Sequence, residues 1–441
     1  MLQETHEFHL DNGLMVLLAP VRTAPVATFW VWYRVGSRNE VPGITGVSHW
    51  VEHMMFKGTP TLKKGEIMHL VNRNGGVDNA FTWTDFTAYF ETFPSDRIDL
   101  ALRIESDRMV NSLFDADEVA SERTVIISER EGAENDPNFW LGEEVGASAF
   151  KVHPYHHDTI GWKTDLETMT REDLYAHYRT YYTPNNAIVV AAGDFDVDNM
   201  LDQIRQSFGP IPRGPAAPPV RTVEPRQEGE RRVRLRRPGP ASYFHAAYHG
   251  PKASDPDFFP VFVLSGVLSG VGGMSFSGGG SPGRSSRLYR ALVETELATD
   301  AGCGFRPTID PGTIDASATV RPGVAIEKVE RAIFEELDKI ASKPVTDAEL
   351  AKVLKQARSQ FVYATDGVMN RGYWLGELEI VASYKMYDTF LDGIASVTKA
   401  DVQRVAAKYL LETNRTVGWF EPSNGTVDRT PKASAKKRVR R

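Results

Sequence analysis

The sequence predicts an α+β fold built from two related halves, and three observations support this prediction. Runs of β-branched and aromatic residues at 26–37 and 187–195 predict strands. Apolar residues at helical spacing predict amphipathic helices at 98–114 and 327–342. Between the halves, residues 208–230 are rich in proline and poor in apolar side chains, which is typical of an extended, semi-rigid linker.

The two halves share a repeated segment, which indicates internal duplication. Residues 169–190 and 397–418 align at a constant offset of 228. In each copy, a threonine suited to cap a helix is followed by a helical pattern, a turn and a β-branched strand. Five positions are identical: Thr170 and Thr398, Asp173 and Asp401, Tyr181 and Tyr409, Asn186 and Asn414, and Val189 and Val417.

The linker and the repeat set the predicted domain boundaries. We expect an N-terminal domain over 1–211 and a proline-rich linker over 212–230. A C-terminal domain then occupies 231–430, followed by a basic tail over 431–441 that we expect to be solvated.

Charge and hydropathy exclude several classes of protein. The 441 residues contain 51 Lys and Arg against 58 Asp and Glu, and six of the basic residues lie among the last ten. The rest of the chain is therefore acidic, which argues against a nucleic-acid-binding protein. The longest uncharged stretch, 258–283, contains a proline and becomes rich in Gly and Ser, which predicts a short core helix and a loop and no membrane span. One cysteine, Cys303, cannot form an intrachain disulfide.

The beginning of the chain lacks the apolar run of a signal peptide. We therefore expect a cytoplasmic protein. The alternative is a periplasmic protein from which a signal peptide has been removed.

A cluster of metal-binding residue types follows the first long predicted strand. His49, Glu52 and His53 occur as H-W-V-E-H, with Ser48 as the expected start of a helix. Histidines four residues apart share one face of a helix and can bind one zinc ion. Glu52 lies between them in azimuth, where its carboxylate can act as a general base on a metal-bound water.

Such a site needs a third ligand, usually a carboxylate. The predicted helix downstream offers Glu122 and Glu129, which are seven residues apart and share one face, so one could bind the metal while the other supports a ligand. Glu131 and Glu134 lie on other faces, and spacing alone does not choose among the four.

Several further motifs accompany H-x-x-E-H and extend over most of the chain. They are LDNGLMVLLAP, GSRNE, GITGVSHWVEHMMFKGT, NGGVDNAFTWTDFTAYF, SERTVIISE, HPYHHDTIG and YYTPNNAIVVAAGD. Together they resemble the M16 peptidases, especially the mitochondrial processing peptidases and their bacterial relatives. The resemblance implies one Zn²⁺ per chain, with Glu129 as the third ligand, Glu122 supporting the metal ligands and Glu52 as the base.

The resemblance also implies the architecture and the substrate. We expect two homologous domains, each a mostly antiparallel sheet covered by helices, that form a clamshell. The family's substrates are extended peptides or unfolded segments, held as an added strand on a sheet edge, and the implied function is a zinc-dependent endopeptidase. The matching edge residues are Asn79, Ala80, Phe81 and Thr82.

The second half departs from the family pattern. In many relatives an Arg and a Tyr that follow an S-R-L motif stabilise the oxyanion, but aligning on residues 286–288 places Val293 and Asp300 at those positions. We therefore expect a homologous partner subunit to supply the Arg/Tyr pair. The alternatives are a self-sufficient chain that uses other donors, or an alignment gap that hides an arginine such as Arg290.

Two further expectations concern this half and the whole chain. The glycine-rich segment 270–286 lacks the G-K-[ST] of a phosphate-binding loop and predicts a mobile loop. The competing function is that of a non-catalytic assembly subunit of a larger complex, although this sequence retains the motif residues that such subunits lose.

Overall fold

A computed structural model describes residues 4–274 and 283–423, and it confirms the α+β fold with two sheets covered by helices. The basic tail 431–441 and the central part of the glycine-rich segment lie outside the described residues. The part of the chain that is described contains no helix long and apolar enough to cross a bilayer.

The first sheet has six strands in the order β1-β2-β6-β3-β5-β4. Strands β2 and β6 are parallel and every other pair is antiparallel, which puts β4 at one edge. The strands are β1 (His6–His9), β2 (Met15–Pro20), β3 (Val26–Tyr33), β4 (Val77–Thr82), β5 (Thr87–Pro94) and β6 (Ala187–Gly193).

Eight helices accompany these strands in the described residues of the first half. They are α1 (Val47–Met54), α2 (Glu66–Arg73), α3 (Asp99–Asn111), α4 (Ala116–Ala133), α5 (Pro137–Ala149), α6 (Lys163–Thr168), α7 (Arg171–Tyr181) and α8 (Val197–Phe208). The chain between α8 and the next strand contains no helix or strand.

The second sheet has five strands in the order β7-β11-β8-β10-β9, with β7 and β11 parallel. Its strands are β7 (Arg231–Arg237), β8 (Tyr243–His249), β9 (Ala298–Phe305), β10 (Thr313–Val320) and β11 (Arg415–Pro422). The described helices of this half are α9 (Phe258–Ser269), α10 (Ile326–Ser342), α11 (Asp347–Ala364), α12 (Val368–Val381), α13 (Met386–Ala395) and α14 (Lys399–Tyr409).

The repeated segment folds in the same way twice, which confirms that the two domains are homologous. Helices α7 and α14 differ by 228 in both their first and their last residue, and each begins with a reciprocal Thr–Asp capping box. After each helix an asparagine side chain closes the turn: Asn186 Nδ2 donates to Tyr181 O at 2.9 Å, and Asn414 Nδ2 donates to Tyr409 O at 2.8 Å.

The central strands of the first sheet are buried on both faces. Side chains alternate along β3, so Phe29, Val31 and Tyr33 join the core beneath helices of their own domain. Trp30 and Trp32 face the other way and join a core shared with the second domain. Helix α12 of the second domain covers that face.

The packing of α12 on this face depends on two glycines. A Cβ atom at Gly372 would lie 2.4 Å from Trp30 Nε1, and one at Gly376 would lie 2.1 Å from Trp32 Nε1. The exchange is reciprocal, because α5 of the first domain packs on the second sheet, where Leu141 and Val145 contact it. Each domain therefore completes the core of the other.

This packing makes a stability prediction. Gly376→Ala places a methyl group inside Trp32, and we expect it to lower the free energy of unfolding by about 1–3 kcal/mol. The matched control is Gly146→Ala on α5, where a Cβ atom meets nothing within 4 Å. The control should be neutral or stabilising by up to about 1 kcal/mol. Urea unfolding followed by fluorescence compares them, and equal midpoints for both variants would contradict the packing argument.

Candidate metal centre

The N-terminus of α1 is held by a carboxylate from the preceding loop. Helix α1 begins at Val47, so the expectation that Ser48 starts it is wrong; the residue before the helix is Gly46, in a left-handed conformation. Glu40 accepts hydrogen bonds from Gly46 N at 2.8 Å and from Ser48 N at 2.9 Å. The Ser48 hydroxyl lies 3.2 Å from Nε2 of His177 and does not cap the helix.

The structure brings His49, His53 and Glu129 together. Both histidines lie on α1 and Glu129 lies on α4, which packs against it. Glu129 Oε2 is 3.8 Å from His49 Nε2 and 3.6 Å from His53 Nε2. These distances are too long for hydrogen bonds. Two ligand atoms that each lie 2.0–2.1 Å from one tetrahedral zinc ion are about 3.3 Å apart. The ligand atoms of the three residues all lie within 4.8 Å of one another, so the three could hold a single zinc ion once they draw closer together.

Charge and exposure also suit a metal ion. Burial, with a smaller contribution from His53, lowers the pKa of His49 to about 3, so this imidazole is neutral near pH 7 and keeps a lone pair for a metal. The Glu129 side chain is 44% exposed while those of the histidines are about 20% exposed. The cluster is therefore open to solvent on one side, where a fourth ligand can enter.

Glu122 orients one of the two histidines. Its Oε1 lies 2.8 Å from His53 Nδ1, and its Oε2 contacts Lys57 Nζ. Burial opposes the charged carboxylate, but the hydrogen bonds from Lys57 and His53 outweigh it and hold the pKa of Glu122 below its usual value. The ionised Glu122 fixes the tautomer in which His53 Nε2 faces Glu129.

The other acids of the segment point elsewhere. Glu131 Oε1 accepts a hydrogen bond from Lys163 Nζ at 2.6 Å, and Glu134 Oε1 accepts one from Arg130 Nε at 3.0 Å. Within the described residues, the only group of three or more potential ligands that converge is His49, His53 and Glu129.

Glu52 is buried beside this cluster and is anchored by the edge strand. The Thr82 hydroxyl donates to Glu52 Oε2 at 2.6 Å. Burial raises the pKa of Glu52 to about 7, although the hydrogen bond from Thr82 favours the charged form. A carboxylate with a pKa near neutrality can both accept and return a proton at physiological pH.

The four predicted edge residues do not share one environment. Strand β4 is at the edge of its sheet, as a strand-addition site requires. Asn79 Oδ1 accepts a hydrogen bond from Ala80 N at 2.9 Å, and Phe81 packs on Trp30 and Trp32. Thr82, by contrast, faces α1, and its partner Glu52 was not expected from the sequence.

A cavity of about 940 Å³ lies between the domains, over the second sheet, and none of the candidate metal ligands, Glu52 or the residues of β4 lines it. Its wall includes Trp83, which directly follows β4, and Asp300 on β9. Neither Val293 nor Arg290 lines it. The second half thus places an acid, an arginine (Arg306) and a tyrosine (Tyr373) in the wall of the cavity, but neither of those two residues.

Two family models match the chain in succession. The model described as Insulinase (Peptidase family M16) matches residues 15–162, which include the whole His–His–Glu cluster. The model described as Peptidase M16 inactive domain matches residues 168–357.

Relatives match nearly the whole chain. The zinc protease PqqE of Helicobacter pylori is 28% identical over 419 residues, which cover 94% of this chain and 92% of that protein. A probable mitochondrial-processing peptidase subunit beta of Arabidopsis thaliana is 26% identical over 428 residues, covering 96% and 80%. The crystal structure of a protease from Helicobacter pylori matches with a TM-score of 0.90 at 28% identity, over 96% of this chain and all of that one.

A further solved structure supports the fold alone. The peptidase M16 inactive domain from Pseudomonas fluorescens matches with a TM-score of 0.85 at 17% identity, over 95% of this chain and 98% of that one. The arrangement of two homologous domains is therefore that of the M16 clamshell.

The geometry predicts which glutamate binds a metal. With Zn²⁺ as the probe, Glu129→Gln should weaken binding by more than the roughly 10–100-fold that loss of a supporting partner costs. Glu131→Gln is the matched control, because it lies on the same helix and pairs with Lys163, and its affinity should equal that of the wild type. Competition with a chromophoric chelator measures both, and unchanged affinity in Glu129→Gln would reject this ligand set.

Proposed function

The chain belongs to the M16 peptidase family, and we propose that it is a zinc-dependent endopeptidase that cleaves extended peptides. The observation that carries the proposal is the convergence of His49, His53 and Glu129 next to a buried glutamate, Glu52, on the same helix. A structural subunit has no need for three ligands and a proton acceptor in one place.

We assign His49, His53 and Glu129 as the residues that hold one zinc ion. When bound, the ion would act as a Lewis acid that polarises the scissile carbonyl and lowers the pKa of the attacking water. Glu52 accepts the proton of that water and returns it to the leaving nitrogen, and its raised pKa suits both steps. Glu122 and Lys57 keep His53 in its ligating tautomer.

The substrate of this proposal is an extended segment that adds to β4. Main-chain hydrogen bonds to a sheet edge bind a peptide with little demand on its sequence. The added strand displaces the Asn79 side chain from Ala80 N, and its end beside Trp83 approaches the cavity between the domains. The size of that cavity, about 940 Å³, suits several residues of an unfolded segment.

A homologous partner subunit completes the site in this proposal. In the sequence, Val293 and Asp300 occupy the positions at which many relatives carry the Arg and the Tyr, and the exposed carboxylate of Asp300 would repel negative charge. One matched relative is named as subunit beta of a mitochondrial-processing peptidase, a name that implies further subunits. We infer that the Arg/Tyr pair comes from a related chain.

The proposed base gives a direct test of the reaction. Glu52→Gln keeps the shape and the Thr82 contact but removes the proton acceptor, so cleavage of a quenched-fluorescent unstructured peptide should fall by at least about 100-fold. Zinc content, measured by mass spectrometry, should stay near one ion per chain. Undiminished cleavage would reject the proposed base, and no cleavage by the wild type, even with its partner, would favour the assembly subunit.

The partner has its own test. We expect the purified chain to cleave the peptide slowly and to accelerate by at least about 10-fold when a related chain that carries the Arg/Tyr pair is added. The control is the same partner with its Arg replaced by alanine and its Tyr replaced by phenylalanine. This variant should still bind the chain but should not raise the rate of cleavage. A rate that is already maximal without a partner would show that this chain is self-sufficient.

A further inference from the structure

Thr82 contacts the reaction site through its side chain and the open sheet edge through its backbone. Its hydroxyl donates to Glu52 Oε2 at 2.6 Å, and both residues are about 8% exposed. Thr82 is the last residue of β4, opposite Thr87 on β5. The two hydroxyl oxygens lie 3.4 Å apart, and Thr87 also donates to Val35 O at 2.9 Å.

The pairing pattern shows which way the backbone of Thr82 points. Trp83 N donates to Phe86 O at 2.8 Å, so these two residues form a hydrogen-bonded pair at the end of the ladder. In an antiparallel ladder, hydrogen-bonded and non-hydrogen-bonded pairs alternate. The next pair, Thr82 with Thr87, is therefore a non-hydrogen-bonded pair. The N–H and C=O of Thr82 are therefore directed away from β5, towards the edge to which a peptide strand would add.

The same alternation separates the two faces of β4. Phe81 packs on the aromatic side chains beneath α12, whereas Ala80 packs with the core on the α1 side. Thr82 shares the face of Ala80, so its hydroxyl reaches α1 while its backbone remains at the open edge. A single residue thus touches both the candidate base and the site of strand addition.

We propose that Thr82 is a positioning residue that holds Glu52 in its working orientation and couples that orientation to substrate pairing on β4. This inference rests on the proposed peptidase function and changes the role expected for Thr82 from substrate contact alone. A strand that pairs with the edge fixes the backbone of Thr82, and its hydroxyl then fixes one carboxylate oxygen of Glu52. The other oxygen is left to accept a proton.

The test removes the hydroxyl and leaves the shape. Thr82→Val should lower kcat by about 10- to 100-fold with KM within about twofold, because misplacing a catalytic group costs the rate and leaves main-chain binding intact. Thr82→Ser keeps the donor and should recover most of kcat. Zinc content should be the same in both variants.

A buried threonine elsewhere in the sheet controls for lost stability. Thr28 on β3 is fully buried and donates to Glu91 O at 3.2 Å, far along the sheet from α1. Thr28→Val should keep the wild-type kcat, even if its melting temperature falls as much as that of Thr82→Val.

Two results would overturn the role of Thr82. One is wild-type kcat in Thr82→Val, and the other is an increase in KM alone, which would mark Thr82 as a substrate contact only. Glu52→Gln, measured in parallel, separates the two hypotheses. An active Glu52→Gln rejects the peptidase mechanism itself, whereas an inactive Glu52→Gln with a fully active Thr82→Val rejects only the positioning role.

Discussion

The burial of the first sheet's central strands on both faces is the constraint on which the rest of the molecule depends. Its central strand β3 alternates between two cores, one under helices of its own domain and one under α12 of the other. The close approach of α12 requires glycine at 372 and 376. Helix α12 occupies one face, and α1, which carries His49, Glu52 and His53, packs on the other. The edge strand β4 packs against α1 and is followed by Trp83, which lines the cavity.

Around the candidate metal centre, the start of α1, His53 and Glu52 are each held by a neighbour outside the proposed ligand set. Glu40 satisfies two N–H groups at the start of α1, Glu122 orients His53, and Thr82 orients Glu52. These contacts come from a loop, a second helix and a strand, so α1 is held from three directions. These contacts matter because charged groups that are held close together keep their positions only when the surrounding structure is rigid.

The sequence predicts the local features well and the contacts between elements poorly. The strand and helix patterns and the i, i+4 histidines follow from backbone periodicity, which one segment contains in full. The choice of Glu129 over Glu131 depends on where α4 crosses α1, so spacing alone could not make it. Glu40 acts from a loop before the helix without any periodic signal, and Thr82 gains its role only when β4 folds beside α1.

The two copies of the duplicated domain have diverged at the helix that in the first copy carries the candidate metal ligands. Helix α9 follows β8 and packs on α14 just as α1 follows β3 and packs on α7, yet α9 contains no charged residue. The edge strand β9 lines the cavity with Gly302 and Gly304, where a Cβ atom would meet only open space. The second copy therefore contributes volume to the cavity, together with Arg306 and Tyr373 in its wall. Under the proposed function, the oxyanion donors come from a partner subunit, and a further copy of the same fold would bring them on the same architecture.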